Sequence, residues 1–229
     1  HVQNNGGSDL NFITQIGLNS GATVTVDHSP ELKKDEPDTR AGVLGAGGPD
    51  VYGYTWRDSD QPGGPAFGWV DISAIGTLIP FASSDDSNFG PINIGFPFPY
   101  YGQTFSTIRA GTNGFLSFTE TATALTNYVL PSTSAPANLL AAFWDDLHQR
   151  TGNAKYYSDG NRFIVQFTDW DQFSPSGELY NFQVILYRNG RIVYQYLTMT
   201  TNDLAGATIG IQNATKDDGL TIVYNDDYM

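Results

Sequence analysis

The sequence predicts an all-β protein, a jelly-roll-like antiparallel β-sandwich with an N-terminal strand segment and a long loop. Three observations support this fold class. The chain of 229 residues contains 25 Gly and 12 Pro, the residue types that separate short strands. Aromatic residues, which favour strands, make up 14% of the chain. Short apolar segments alternate with period two, and we find no convincing helical repeat.

The clearest predicted element is a hairpin in the C-terminal half. Two apolar strands are joined there by Asn189-Gly190, the dipeptide that most strongly signals a tight hairpin turn. The sequence predicts the hairpin strands at 180–187 and 191–197, and further strands at 67–72, 92–96, 106–110, 114–118, 139–144, 154–158, 162–169, 207–212 and 221–224.

The chain divides by composition into three parts. Residues 1–26 are an N-terminal strand segment, residues 27–50 a Pro-, Gly- and charge-rich linker or long surface loop, and residues 51–229 the β-sandwich module. A strand on a tether can pair with its own module or with the sheet of another copy, and the sequence leaves both open. The chain starts without an initiator Met and ends abruptly, so we expect a piece of a longer protein.

The charge and cysteine content exclude several classes of protein. With 11 basic and 24 acidic residues the formal net charge is -13, which repels a phosphate backbone and argues against nucleic acid as a partner. The absence of cysteine excludes a disulfide scaffold, a thiolate metal site and a cysteine nucleophile. No apolar run approaches the roughly 20 residues of a membrane span.

An ordered set of motifs extends over roughly 52–224. It comprises GYTWRDSDQPGGP (53–65), WVDI (69–72), IGFPFPYYG (94–102), TNGFLSF (112–118), AAFWDDL (141–147) and ATIGIQNAT (207–215). This set resembles the nidogen-like modules of bacterial extracellular multidomain proteins, including appendages of secreted peptidases. It is more distantly similar to nidogen and plexin-domain-containing matrix proteins of animals.

The resemblance implies a secreted or cell-surface β-sandwich with no catalytic residues to carry over, and it names no ligand. We therefore expect a non-catalytic extracellular module for adhesion, surface assembly or targeting of a larger protein. Its partners would be a protein or glycan surface, or copies of itself through strand exchange of the N-terminal strand. The alternative is a carbohydrate-binding accessory domain of a secreted hydrolase, which requires exposed, coplanar aromatic rings. The four Trp residues are more simply core residues.

Acidic pairs in turn-like segments suggest Ca²⁺ as a cofactor, because Ca²⁺ takes six to eight oxygen ligands from flexible loops. The candidate ligands are Asp58, Asp60, Asp85, Asp86, Asp145 and Asp146. Each of them could instead cap a turn by accepting backbone N–H groups. A two-carboxylate hydrolase would need two acids facing each other across a cleft, whereas neighbouring residues of a strand point to opposite faces. The sequence therefore predicts no enzyme, and the hydrolase hypothesis depends on convergence that only a structure can test.

Overall fold

The computed structural model describes residues 12–18, for the backbone alone, and residues 45–200 and 204–226. In this described part the chain forms fifteen β-strands and no helix, so it contains no helix long and apolar enough to cross a membrane. The strands are β1 (Phe12–Leu18), β2 (Ala46–Gly47), β3 (Tyr54–Asp58), β4 (Thr77–Leu78), β5 (Asn88–Tyr100), β6 (Gln103–Gly111), β7 (Phe115–Ser117), β8 (Leu139–Trp144), β9 (Leu147–His148), β10 (Asn153–Ser158), β11 (Arg162–Gln172), β12 (Tyr180–Tyr187), β13 (Ile192–Met199), β14 (Thr208–Gln212) and β15 (Gly219–Tyr224).

The strands build two large antiparallel sheets that pack face to face. The first sheet has the order β2-β3-β1-β13-β12-β11-β10-β4, and β9 pairs with the far end of β11. The second sheet has the order β15-β14-β8-β7-β6-β5. The main apolar core contains buried residues of both sheets. The predicted all-β antiparallel sandwich is therefore confirmed.

Strand β5 illustrates how the period of the sequence sets the core. From Ile92 to Tyr100 every second residue is buried and the residues between them are exposed. The exposed set includes Pro97 and Pro99, and Pro91, directly before Ile92, is exposed as well. Proline cannot donate to a strand ladder, so it is tolerated here because β5 is an edge strand of its sheet.

Several predicted elements have the predicted bounds. Strands β8 and β12 agree with the predicted ranges, and β12 and β13 form the predicted hairpin, with Gly190 at a φ of 88° in its turn. Three Trp residues are buried as expected, and Trp69 is half-buried. The prediction of a strand at 67–72 is wrong, and strand β3 was not predicted.

Residues 67–72, here called the covering segment, lie across the outer face of the first sheet. Three glutamines hold the segment, one on each of the neighbouring strands β11, β12 and β13 and opposite one another in register. The amides of Gly68, Val70 and Ile72 donate to Oε1 of Gln195, Gln183 and Gln166 at 3.0, 3.5 and 3.1 Å, and Gln183 Nε2 donates to the Val70 carbonyl at 2.6 Å. Side-chain amides thus replace the backbone partners that a strand would have.

Strand β1 lies inside the first sheet, between β13 and β3. It has five registered residue pairs with each neighbour, from Phe12↔Tyr196 to Ile16↔Ile192 and from Thr14↔Asp58 to Leu18↔Tyr54. Residues 46–47, which the sequence placed in the linker, form β2 on the other side of β3. Residues 1–11 and 19–26 of the predicted N-terminal strand segment and residues 27–44 of the predicted linker lie outside the described residues.

The corner that precedes β3 depends on one buried carboxylate. Asp50 accepts hydrogen bonds from the amides of Gly53 and Tyr54 at 2.8 and 2.7 Å and from the Tyr101 hydroxyl at 2.5 Å. Burial raises the pKa of Asp50 above its ordinary value, and these hydrogen bonds offset only part of that increase. The folded protein therefore binds the Asp50 proton more tightly than the unfolded chain does.

Asp50→Asn is expected to remove a loss of stability that accompanies rising pH. Because the folded-state pKa is raised, the Asp50 contribution to the free energy of unfolding falls as pH rises from about 4 through the folded-state pKa. Asn keeps the acceptor oxygen but carries no charge. In urea unfolding between about pH 4 and pH 7, the stability of the variant relative to the native chain should rise with pH. A difference that is constant across this range would contradict the expectation.

Candidate metal centre

Three carboxylates converge at one end of the sandwich. Asp85, Asp86 and Asp146 can each place one oxygen within 4.8 Å of the others. The first two lie in the turn that precedes β5, and Asp146 lies between β8 and β9. An isolated antiparallel bridge between Asp85 and His148 joins these two parts of the chain. The fold therefore brings together acids that are about 60 residues apart in sequence.

The buried side chain of Asn113 helps to position the cluster. Asn113 Nδ2 donates to Asp86 Oδ1 at 2.9 Å, and Asn113 Oδ1 accepts from the Leu147 amide at 2.9 Å. Asp86 also has a φ of 46°, a left-handed conformation that is uncommon for residues other than glycine. The side-chain hydrogen bonds of Asn113 thus connect the turn before β5 with the start of β9.

Two buried polar atoms at this centre lack partners. Asp85 Oδ1 and His148 Nδ1 have no hydrogen-bond partner among the described residues, and the two residues face each other in the bridge. A buried carboxylate oxygen without a donor is costly, and a cation is one of the groups that offset this cost. Three carboxylates provide the hard oxygen ligands that Ca²⁺ prefers, and backbone carbonyls and water complete such sites in proteins. The residues therefore fit a calcium ion.

The neighbouring predicted ligand, Asp145, is not part of this cluster, and calcium binding there stays a prediction. Its side chain is 1% exposed, Oδ1 accepts from the Asp146 amide at 2.8 Å, and Oδ2 accepts from Gln172 Nε2 at 3.1 Å. The carboxylate therefore ties the turn after β8 to the end of β11. Asp145 is thus buried and hydrogen-bonded within its own chain, whereas the adjacent Asp146 is half-buried and belongs to the cluster. The sequence alone did not distinguish the two.

The remaining two predicted ligands lie elsewhere, in the loop that follows β3. Asp58 is buried, and its Oδ1 accepts from the amide of Asp60 at 3.0 Å, which is the turn-capping arrangement. The structure does not bring these two residues to the cluster of Asp85, Asp86 and Asp146. Calcium binding at Asp58 and Asp60 stays a prediction.

Two residues near the cluster, His148 and Asp171, were not among the predicted ligands. They are paired in register between β9 and β11. Although burial raises the pKa of Asp171, hydrogen bonds from the amides of Gly177 and Glu178 and from Arg150 Nη1, at 3.1 Å, hold it below its ordinary value. Asp171 is thus an ionised carboxylate, hydrogen-bonded to its own chain, on the strand that pairs with the strand of His148.

Comparison with known proteins adds one match. The family model described as NIDO related matches residues 66–227. The match contains the three clustered carboxylates and begins after β3, later than the resemblance read from the sequence. No solved structure matches the chain at a significant level.

Proposed function

The chain belongs to the NIDO-related family, and on that premise we propose that it is a non-catalytic extracellular module for adhesion, surface assembly or targeting of a larger protein. We place the protein outside the cell, secreted or at the cell surface. The observation that carries the proposal is the hydrogen bonding of the buried acids. Asp50, Asp145 and Asp171 accept hydrogen bonds from their own chain, which suits a structural module.

A residual hydrolase hypothesis is weaker on the same ground. Hydrolysis by two carboxylates requires one acid kept protonated in an apolar pocket and a second one facing it. Both oxygens of Asp145 accept hydrogen bonds, and Asp86 accepts from Asn113. Acids held in this way serve as hydrogen-bond acceptors within the fold, which is a structural use rather than a catalytic one.

Bead assays test the proposal. Beads coated with the full chain should adhere to one another or to beads coated with a protein or glycan panel, whereas beads coated with heat-denatured chain should not. Release of product from chromogenic glycosides or a labelled peptide mixture by the full chain would overturn the non-catalytic proposal. Adhesion that survives denaturation would overturn the adhesion proposal.

Carbohydrate binding is the alternative, and two aromatic residues favour it. Tyr52 is 44% exposed, and Trp69 on the covering segment is half-buried, so both offer ring surface to a sugar. Binding to a glycan array that is lost in both Tyr52→Ala and Trp69→Ala would support this alternative. Binding that neither substitution changes would argue against it.

We further propose Ca²⁺ as the cofactor, held by Asp85, Asp86 and Asp146. Two observations support this proposal: Asp85 Oδ1 has no hydrogen-bond partner in the described part of the chain, and a bridge connects Asp85 to the strand after Asp146. An ion at this point would neutralise three close negative charges and cross-link the turn before β5 to the turn before β9. Its contribution would be to stability rather than to a reaction.

Calcium is expected to raise the melting temperature of the full chain by about 3–10 °C at about 10 mM, if the dissociation constant falls in the range of extracellular modules. Asp85→Asn should abolish the increase. Asp60→Asn is the matched control, because it makes the same substitution in the other predicted loop. Differential scanning calorimetry with CaCl₂ or with chelator measures the effect.

Either of two results would overturn the assignment. One is a melting temperature of the native chain that calcium does not change, together with no heat of binding in titration calorimetry. The other is a calcium response that Asp60→Asn abolishes and Asp85→Asn preserves, which would move the site to the loop after β3.

A further inference from the structure

Strand β1 lies between two strands, β13 and β3, that are each held in place by other parts of the chain. The slot is the space between β13 and β3, here called the β13–β3 slot, and β1 pairs along both of its walls. Main-chain ladders of this kind place few demands on side chains, and residues 12–18 contain no proline. Any copy of residues 12–18 would satisfy the same hydrogen-bonding groups.

One wall of the slot is held by the body of the sandwich. Strand β13 pairs with β12 over its length, from Met199 at one end to Ile192 at the other. That pairing does not involve β1. The unpaired edge of β13 would therefore keep its position if β1 left.

The other wall, β3, is fixed by contacts with the second sheet. The side chains of Tyr54 and Trp56 lie in the main core. The Asp218 carboxylate, beside β15, accepts from the amides of Val51 and Tyr52 at 3.0 and 2.8 Å. The Tyr101 hydroxyl, between β5 and β6, donates to Asp50. Strand β3 is thus anchored by groups that do not belong to β1.

The chain between β1 and β2 is longer than a connection within one molecule requires. Leu18 lies opposite Tyr54, and the Gly45 carbonyl accepts from the Asp58 amide, so the ends to be joined are separated by roughly 15–20 Å. The connection comprises residues 19–44, which can span at most about 90 Å when fully extended. This length permits β1 to enter the slot of a neighbouring molecule.

From these observations we infer that β1 is an exchangeable strand and that the β13–β3 slot accepts residues 12–18 of a second copy of this chain. The inference rests on the proposed function, for which it names the partner and the mode of assembly. The bonds gained in the exchanged and unexchanged forms are the same, so the balance between them depends on tether entropy and local concentration. Exchange is therefore favoured where many copies are crowded together.

Cysteine cross-linking tests the exchange, because the native chain has no cysteine. Gln15 is registered opposite Arg57, and such antiparallel partners have Cα atoms about 4.5–5.5 Å apart, within the span of a disulfide. Full chains carrying Gln15→Cys are mixed with full chains carrying Arg57→Cys, unfolded and refolded together at high concentration, and oxidised. A disulfide-linked dimer of one chain of each kind is the expected product, identified by non-reducing electrophoresis and peptide mass spectrometry.

Two controls use the same chemistry. Replacing the Arg57→Cys partner by Thr121→Cys, an exposed position near neither wall of the slot, measures random cross-linking. The double variant Gln15→Cys/Arg57→Cys, refolded at high dilution, should cross-link within one chain and thereby verify the register. We expect the mixed dimer to exceed the Thr121→Cys control at least about tenfold, since the registered pair holds its thiols within bonding distance.

Exchange is wrong if the mixed dimer stays at the control level while the double variant cross-links within its own chain. It is also wrong if the double variant does not cross-link, because the register of β1 would then differ. Bead adhesion distinguishes this failure from that of the proposed function. If the beads adhere but the chain does not exchange β1, the protein is still an adhesion module, and it adheres through another surface.

Discussion

Trp170→Ala is expected to destabilise the protein by about 4 kcal/mol, a large part of the total stability of an ordinary domain. Trp170 is fully buried at the end of β11, where its ring packs against Phe167 and Phe81 at centroid distances of 5.2 and 5.9 Å. Its Nε1 donates to the Thr112 carbonyl at 2.7 Å. The substitution therefore leaves both a large cavity and an unpaired buried acceptor. Equilibrium unfolding in guanidinium chloride measures the effect.

Two substitutions separate the causes. Trp170→Phe keeps most of the ring contacts but leaves the Thr112 carbonyl without its donor, and we expect it to cost about 1–2 kcal/mol. Trp69→Ala makes the same change as Trp170→Ala at a half-buried site and should cost clearly less. Equal costs for the two alanine variants would show that burial of Trp170 is not what stabilises the end of β11.

Gln183→Leu is expected to cost about 3 kcal/mol and to release the covering segment. Gln183 is fully buried and is the central member of the three glutamines. Its amide satisfies both the N–H and the C=O of Val70, and its Nε2 also donates to Gln166 Oε1 at 2.8 Å. Leucine has a similar volume but no polar atoms, so these groups lose their partner without a large cavity forming. Urea unfolding gives the cost, and hydrogen exchange of the Gly68, Val70 and Ile72 amides reports the release.

Gln183→Glu tests the polar part of this explanation. A carboxylate can accept from the Val70 amide but cannot donate to the Val70 carbonyl, so it should cost at least as much as leucine. Gln103→Leu, at an exposed position of β6, is the matched control and should change stability by no more than about 0.5 kcal/mol. Unchanged exchange at Val70 in Gln183→Leu would mean that the covering segment is held by its apolar contacts instead.

The covering segment also marks the limit of prediction from sequence. Strands β8 and β12 were predicted within their observed bounds because their apolar residues and flanking turns are local signals. Residues 67–72 have the composition of a strand, but their hydrogen-bond partners are glutamine side chains from strands that come about 95–125 residues later. No local pattern distinguishes such a segment from a strand. Strand β3 was missed because its partner β1 lies far away, across residues 19–53.

The candidate metal centre was predictable in part. Asp85, Asp86 and Asp146 were candidates because acidic pairs in turns provide oxygen ligands. Their convergence depends on the bridge between Asp85 and His148, which sequence reasoning could not supply. The different orientations of Asp145 and Asp146 arise from the turn after β8, where Asp145 accepts the amide of its own neighbour.

The prolines of β5 prevent one edge of the second sheet from pairing with a strand of another molecule. Pro91, Pro97 and Pro99 remove three N–H groups from that edge of the second sheet, so a further strand cannot be added there with a continuous ladder. Lateral growth by β-pairing is blocked on this side of the sandwich. An assembly propagated by exchanged strands of the first sheet would for that reason not thicken through β5 into a cross-β aggregate.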